Sequence, residues 1–87
     1  MKRHKNLRQG QTRWQAVRYE AGQLANYDVP VVAVYACRVT AVRGTTVNYT
    51  SHGPYICGRE WFVKNTLPTY RAAVRDAHRQ LREGGAA

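Results

Sequence analysis

The sequence predicts one small α+β domain: a three-stranded antiparallel sheet with a C-terminal helix packed on one face and an N-terminal helix beside it. Three observations support this. The chain has 87 residues, which suits a single domain. Residues 66–84 repeat apolar side chains at helical spacing. Residues 31–64 hold three stretches rich in β-branched and aromatic residues, separated by turn residues.

The first ten residues are basic and almost free of apolar side chains. We therefore predict a flexible basic arm over residues 1–10, followed by a folded domain over residues 11–87. Such an arm can lie along a phosphate backbone, or it can be an ordinary solvated terminus. The cations of the arm that we expect to contact nucleic acid are Lys2, Arg3, Lys5 and Arg8.

Residues 12–25 are compatible with a helix or a strand. Thr12 and Gln15 have the spacing of a capping box, and apolar residues recur after them at steps of three and four. The first half of the segment also resembles a short strand, and Gly22 weakens a helix. We predict a helix, which ends before Pro30 because the residue ahead of a proline avoids helical backbone.

The clearest strand covers residues 31–42, since each of its odd positions holds an apolar or aromatic side chain. A second strand is predicted over residues 45–51. A three-residue loop between them would pair Val39 with Val47, whereas a two-residue loop would place a polar residue opposite Val39. We therefore predict the three-residue loop. A third strand is predicted over residues 55–64, and it leads directly into the last helix.

The last helix is predicted over residues 66–84. Asn65 or Thr66 can cap its first turn, where Pro68 is tolerated, and glycines end it. Its apolar face consists of Tyr70, Ala73, Val74, Ala77 and Leu81.

A row of arginines lies beside that apolar face. Rotation by about 100° per residue gathers them into one stripe, although like charges four residues apart disfavour the helix. The row therefore predicts contact with an anion. The alternative is a solvated face, in which cations complement the helix dipole and Asp76 pairs with Arg79. The members of the row are Arg71, Arg75, Arg79 and Arg82.

The formal net charge of the chain is +9, which favours polyanionic partners. Basic and aromatic residues also alternate through the strand region, as expected of a surface that follows phosphates and stacks bases. There we predict Arg38 and Arg43 as phosphate contacts and assign Tyr35 and Trp61 to the core. The exposed ring contacts are predicted beside the turn that follows the second strand, at Tyr49, His52 and Tyr55.

Nothing in the sequence indicates catalysis. The five acidic residues show no spacing for acid–base chemistry, and the cysteines and histidines form no zinc pattern. We therefore expect no enzyme activity, no metal and no cofactor. Cys37 and Cys57 are expected to be buried thiols, with a disulfide as the lesser alternative. Neither a signal peptide nor a membrane-spanning run is evident, so we expect a cytoplasmic protein without membrane contact.

Two family resemblances accompany these patterns. The predicted order helix, three strands, helix resembles that of double-stranded-RNA-binding domains, in which the last helix presents basic residues to phosphates. Arg71 and Arg75 stand at the matching positions, so this resemblance implies phosphate contact by both. Residues 36–63 also look like the curled meander of small SH3-like or Tudor-like barrels. In size and arginine content the chain resembles accessory proteins of bacteriophages.

The leading functional prediction is a small basic protein that binds DNA or RNA largely without sequence specificity. The alternative is a phage-encoded inhibitor of the anti-CRISPR kind, or an adaptor, that docks its basic face on an acidic patch of a host complex. A homodimer formed through an exposed strand edge is a further option.

Overall fold

In the computed structural model, residues 7–85 are described, and they form one four-stranded antiparallel sheet followed by two helices. The strands follow one another in chain order across the sheet. They are β1 (Thr12–Tyr19), β2 (Val31–Arg43), β3 (Thr46–Thr50) and β4 (Pro54–Gly58), and the helices are α1 (Arg59–Asn65) and α2 (Tyr70–Gly85). The α+β class, the antiparallel sheet and the C-terminal helix are confirmed, whereas the number of strands and the N-terminal helix are wrong.

The segment predicted as an N-terminal helix is strand β1. It pairs with β2 in an unbroken register, from Thr12 opposite Arg38 to Tyr19 opposite Val31. Its tryptophan, valine and tyrosine suit a pleated, half-buried surface, and pairing with the distant strand β2 holds the segment extended. The helical spacing of its apolar residues was a weaker, local signal. The glycine that disfavoured the helix, Gly22, has a φ of +86° in the loop that joins β1 to β2.

The predicted three-residue loop between β2 and β3 is also wrong. The loop has two residues, 44–45, and Gly44 adopts a φ of +56° at its first position. A β-bulge between Val39 and Ala41 adds one residue to β2, so that Val39 lies opposite Tyr49 and not opposite Val47 as predicted. The prediction failed because it assumed that the side chains of β2 alternate without interruption.

Only the beginning of the predicted third strand is a strand, because the chain turns into α1 at Arg59. The amide of Arg59 donates a hydrogen bond to the carbonyl of Thr45 at 2.8 Å, while Gly58 keeps an extended backbone. Within α1, Phe62 is fully buried and Trp61 is 46% exposed. The prediction of Trp61 as a core residue is therefore wrong.

Helix α2 begins four residues later than predicted. Thr69 caps it by accepting a hydrogen bond from the amide of Ala72 at 3.1 Å. Ala73 and Ala77 of the predicted apolar face are buried, whereas Tyr70 and Leu81 are exposed at its margins. No helix within residues 7–85 combines the length and the apolar character needed to cross a lipid bilayer.

The two helices cover opposite faces of the sheet. Successive side chains of a strand point to opposite faces, so Arg13 and Trp14 of β1 mark the two sides. Arg13 donates a hydrogen bond to Thr66 at the end of α1, whereas the ring of Trp14 lies 5.1 Å from that of Tyr70 in α2. Between the helices, Leu67 forms a backbone bridge to Trp14 at the edge of β1. The chain therefore passes from one face to the other around this edge.

The main core lies on the α1 side of the sheet. Its buried members come from the start of the described chain, two central strands and α1: Leu7, Cys37, Val39, Val47, Tyr49 and Phe62. Residues 7–10 of the predicted arm thus belong to the fold, and the amide of Gly10 donates a hydrogen bond to the carbonyl of Val39 at 2.8 Å. Residues 1–6 of that arm lie outside the described residues.

Both cysteines are free thiols that share the α1 side. Cys37 is buried in β2, and Cys57 is partly buried in β4. Because β3 runs between their strands, their backbones are at least two strand spacings, about 10 Å, apart, and the register offsets them further along the strands. A disulfide cannot span that distance.

Candidate nucleic-acid interface

The face of α2 that points away from the sheet is basic. The buried alanines fix the inward direction of this helix, and four of the exposed residues roughly half a turn from them, all to one side of Arg79, are Arg71, Arg75, His78 and Arg82. Rotation by about 100° per residue keeps these four within an arc of about 60°. The helical rise sets Arg71 and Arg82 about 16 Å apart along the axis. We call these four residues the basic row.

Arg79, which the sequence placed with these arginines, belongs to an ion-paired cluster on the flank of α2. One of its nitrogens donates a hydrogen bond to Glu83 at 3.0 Å, and another donates to Asp76, which also accepts from Gln80 at 2.9 Å. Burial opposes the ionisation of Asp76, but hydrogen bonds from Arg79 and Gln80 outweigh it and lower the pKa of the carboxyl. Two carboxylates therefore compensate the charge of Arg79.

Two arginines of β1 act within the fold. Arg18 forms an ion pair with Glu20 at 2.8 Å and donates to the carbonyl of Gln80 at 3.1 Å. Arg13 is partly buried, and burial lowers the pKa of its guanidinium. It donates from Nε to the hydroxyl of Thr66 at 2.6 Å and from Nη2 to the Thr66 carbonyl at 2.8 Å. No pattern in the sequence indicates this role, because the segment that forms β1 was predicted as a helix.

Two further predicted phosphate contacts lie on the same side of the sheet as α2. Arg38 follows Cys37, which points into the core on the α1 side, so alternation turns Arg38 toward the α2 side. Val42 packs against the same core beyond the bulge, which turns Arg43 to the α2 side in the same way.

Six of the predicted cations within residues 7–85 are exposed and form no ion pair with another described residue: Arg8, Arg38, Arg43, Arg71, Arg75 and Arg82. Lys2, Arg3 and Lys5 lie outside the described residues.

On the α1 side, five rings surround an open cavity of about 210 Å³, which we call the aromatic cavity. The hydroxyl oxygens of Tyr19 and Tyr35 are 3.0 Å apart and share a hydrogen bond. The ring centre of Tyr35 lies 4.5 Å from that of His52, edge to face. The rings of Tyr49 and Tyr55 are stacked at 5.3 Å.

The structure brings together the three predicted ring contacts, Tyr49, His52 and Tyr55, but it exposes them unequally. His52 and Tyr55 are exposed, whereas Tyr49 is only 8% exposed because its ring packs 4.9 Å from that of Phe62. Tyr19 was missed altogether, and Tyr35 was assigned to the core although it lines the cavity. Prediction of β1 as a strand would have placed Tyr19 on the cavity side.

The basic row and the aromatic cavity lie on opposite sides of the sheet. The row belongs to α2, which contacts the Trp14 side of β1, and the cavity rings share the side of Phe62 in α1. A straight segment of nucleic acid can therefore contact only one of these surfaces at a time.

No protein-family model matches the chain, and neither a curated protein nor a solved structure matches it. The resemblances to double-stranded-RNA-binding domains and to small barrels therefore stay predictions, and the function must be inferred from the residues of this chain.

Proposed function

We propose that the protein binds the phosphate backbone of nucleic acid, largely without sequence preference, through the α2 side of the sheet. The observation that carries this proposal is the basic row, whose three arginines project from one rigid helix face and form no ion pair with another described residue. The guanidinium group is suited to phosphate because its fork of donors matches two phosphate oxygens.

Two further features support phosphates rather than bases as the target. Arg38 and Arg43 extend the positive charge of α2 onto the open part of the same sheet side. The only ring in the basic row is the imidazole of His78, so the row offers little surface for base stacking. Phosphates are the same for every sequence, so we expect binding to both DNA and RNA with little discrimination between sequences.

The test is the salt dependence of binding to a labelled DNA duplex of random sequence, measured by fluorescence anisotropy. Each phosphate contact contributes a slope of about −0.9 to the plot of log K against log salt. Replacing Arg71, Arg75 and Arg82 together by glutamine should therefore make the slope shallower by about three and weaken binding at low salt.

A matched control separates the effect of the basic row on binding from the effect of total net charge. Gln9→Glu combined with Lys64→Glu lowers the net charge by the same three units, but on exposed residues outside α2. We expect this control to retain most of the slope. An equal loss in both variants would show that total charge, not the row, determines binding, and binding that does not respond to salt would contradict the proposal.

A pull-down from cell lysate with and without nuclease tests the alternative of a protein target. Captured nucleic acid that nuclease removes agrees with the proposal. Capture of one host protein that survives nuclease, and that is lost in the triple variant of the row, would favour the inhibitor or adaptor instead.

A further inference from the structure

We infer that the aromatic cavity binds one flat, uncharged nitrogen heterocycle of the nucleobase type. The ring can come from an unpaired residue of a nucleic-acid strand or from a free nucleoside. This is a second site, beyond the proposed phosphate contact, since the cavity lies on the side of the sheet opposite the basic row.

The size of the cavity restricts the ligand to one small ring system. Its volume of about 210 Å³ lies below the range of about 300–1,000 Å³ that is usual for drug-sized ligands. It is nevertheless well above the roughly 10–15 Å³ of cavity volume that one water molecule needs. A single base fits these limits, whereas a folded peptide element does not.

The lining of the cavity favours a neutral ligand. No lysine, arginine, aspartate or glutamate is among the residues that line it. An anion would therefore find no counter-charge within the cavity. A cation could lie against the tyrosine rings, but the net charge of +9 on the protein would repel it.

The chemistry of the lining favours a ring with polar edges over an aliphatic group. Tyr35 and Tyr55 offer ring surfaces to stack against, while Gln15, Ser51 and His52 add polar groups at the same cavity. The side-chain amide of Gln15 forms no hydrogen bond with another residue of the described chain, and it offers both donors and an acceptor. Base edges carry complementary donors and acceptors, whereas an aliphatic ligand would bury these groups without partners.

The inner part of the cavity is already held in place. Tyr49 is fixed between Phe62 and Tyr55, and the hydrogen bond to Tyr19 fixes the hydroxyl of Tyr35. His52, in the turn between β3 and β4, is exposed and forms part of the rim. A rigid inner wall lowers the entropy that a ligand must remove on binding.

The first experiment titrates the protein into 2-aminopurine riboside, which is fluorescent, uncharged and free of phosphate. Stacking on a tyrosine or histidine ring should quench its fluorescence to a saturating level. His52→Ala combined with Tyr55→Leu should weaken this binding by about tenfold or more, as expected for lost base stacking. Both residues are exposed, and circular dichroism checks that the fold is retained. Tyr27→Leu, at an exposed tyrosine outside the cavity, is the matched control and should bind like the unchanged protein.

A second experiment identifies the source of the ring. Two duplexes are compared, one with an unpaired 2-aminopurine and one with the same base paired. Tighter binding and stronger quenching of the unpaired duplex, both lost in the His52/Tyr55 variant, would assign the cavity to bases within a strand. Quenching of the riboside without any preference between the duplexes would assign it to a free nucleoside.

The outcomes separate this inference from the proposed function. The glutamine variant of the basic row should weaken duplex binding and still quench the riboside, because its substitutions lie across the sheet from the cavity. Absence of quenching with both the riboside and the unpaired duplex would overturn the inference. Quenching that is unchanged in the His52/Tyr55 variant would also overturn it, since the ring would then bind elsewhere.

Discussion

At the scale of single residues, Arg13 and Thr66 connect the sheet to the end of α1. Thr66 is 3% exposed; its hydroxyl donates to the carbonyl of Phe62 at 2.6 Å and accepts from Arg13 at the same distance. The guanidinium also binds the carbonyl of Val63 at 3.3 Å. Carbonyls at a helix end lack partners within the helix, and a cation there complements the dipole. This pair therefore stabilises the point at which the chain leaves α1.

We predict that Thr66→Val lowers the stability of the fold although the side chain keeps its shape. The change removes both hydrogen bonds of the hydroxyl and leaves Nε of the partly buried Arg13 without that acceptor, at a cost of about 1–3 kcal/mol. For a domain of this size, each kcal/mol lowers Tm by roughly 4–8 °C. Thermal unfolding followed by circular dichroism measures the shift. Thr50→Val, at an exposed position of β3, is the control and should change Tm little.

At the scale of elements, α2 was the most predictable part of the chain because its pattern is long. It spans 16 residues, and two alanines of the predicted apolar face are buried as expected. Helix α1 spans only seven residues and buries one side chain, Phe62, so its period could not be told from that of a strand. The residues of β1 were equally compatible with a helix and a strand, and their pairing with β2 makes them a strand.

In the candidate site too, features that depend on neighbours in sequence could be predicted, whereas features that depend on distant contacts could not. The spacing of three and four residues from Arg79 to Asp76 and Glu83 is local, and it predicts the ion pairs that set Arg79 apart from the basic row. The aromatic cavity depends on contacts between β1, β2 and the turn after β3, as in the meeting of Tyr35 with His52. No spacing in the sequence could have indicated that contact.

We predict that the acidic flank of α2 restrains its binding to nucleic acid. Asp76→Asn combined with Glu83→Gln would free the guanidinium of Arg79 for phosphate, because its two carboxylate partners are lost. Binding to the labelled duplex should become tighter, and the salt slope should steepen by about one contact. Anisotropy titrations over a range of salt concentrations measure both.

The control for this change places the same added charge elsewhere. Glu60→Gln combined with Asp28→Asn also raises the net charge by two units at exposed residues outside α2. This control should tighten binding less and leave the slope nearly unchanged. A slope that steepens equally in both variants would show that the field of the whole protein, rather than Arg79, is responsible.

At the scale of the whole molecule, the two outer edges of the sheet differ. The edge of β1 is covered at Trp14 by the backbone of Leu67 and farther along by Gln80, which donates to the carbonyl of Ala16. The outer edge of β4 has no partner strand among residues 7–85. Its five residues carry no charge, and Ile56 is 66% exposed. Charged side chains normally protect such an edge from pairing with another chain.

We predict that two copies pair through their β4 edges and that salt strengthens this pairing. Each copy carries a net charge of +9, so repulsion keeps the copies apart at low ionic strength. The screening length falls from about 30 Å at 0.01 M salt to about 3 Å at 1 M, which removes the repulsion but not the backbone pairing. Light scattering should therefore report a monomer at low salt and a dimer near 1 M, the opposite of the salt response of nucleic-acid binding.

A charge placed on the edge itself distinguishes this pairing from nonspecific association. Ile56→Lys should keep the protein monomeric at 1 M salt, because it removes an exposed apolar side chain that pairing would cover and brings like charges together across the joined strands. Val29→Lys adds the same charge at an exposed position in the loop between β1 and β2, and it should still dimerise. A monomer at both salt concentrations, or equal behaviour of the two variants, would contradict pairing through β4. Because phosphate contact weakens under the conditions that favour the dimer, the low-salt monomer is the form expected to bind nucleic acid.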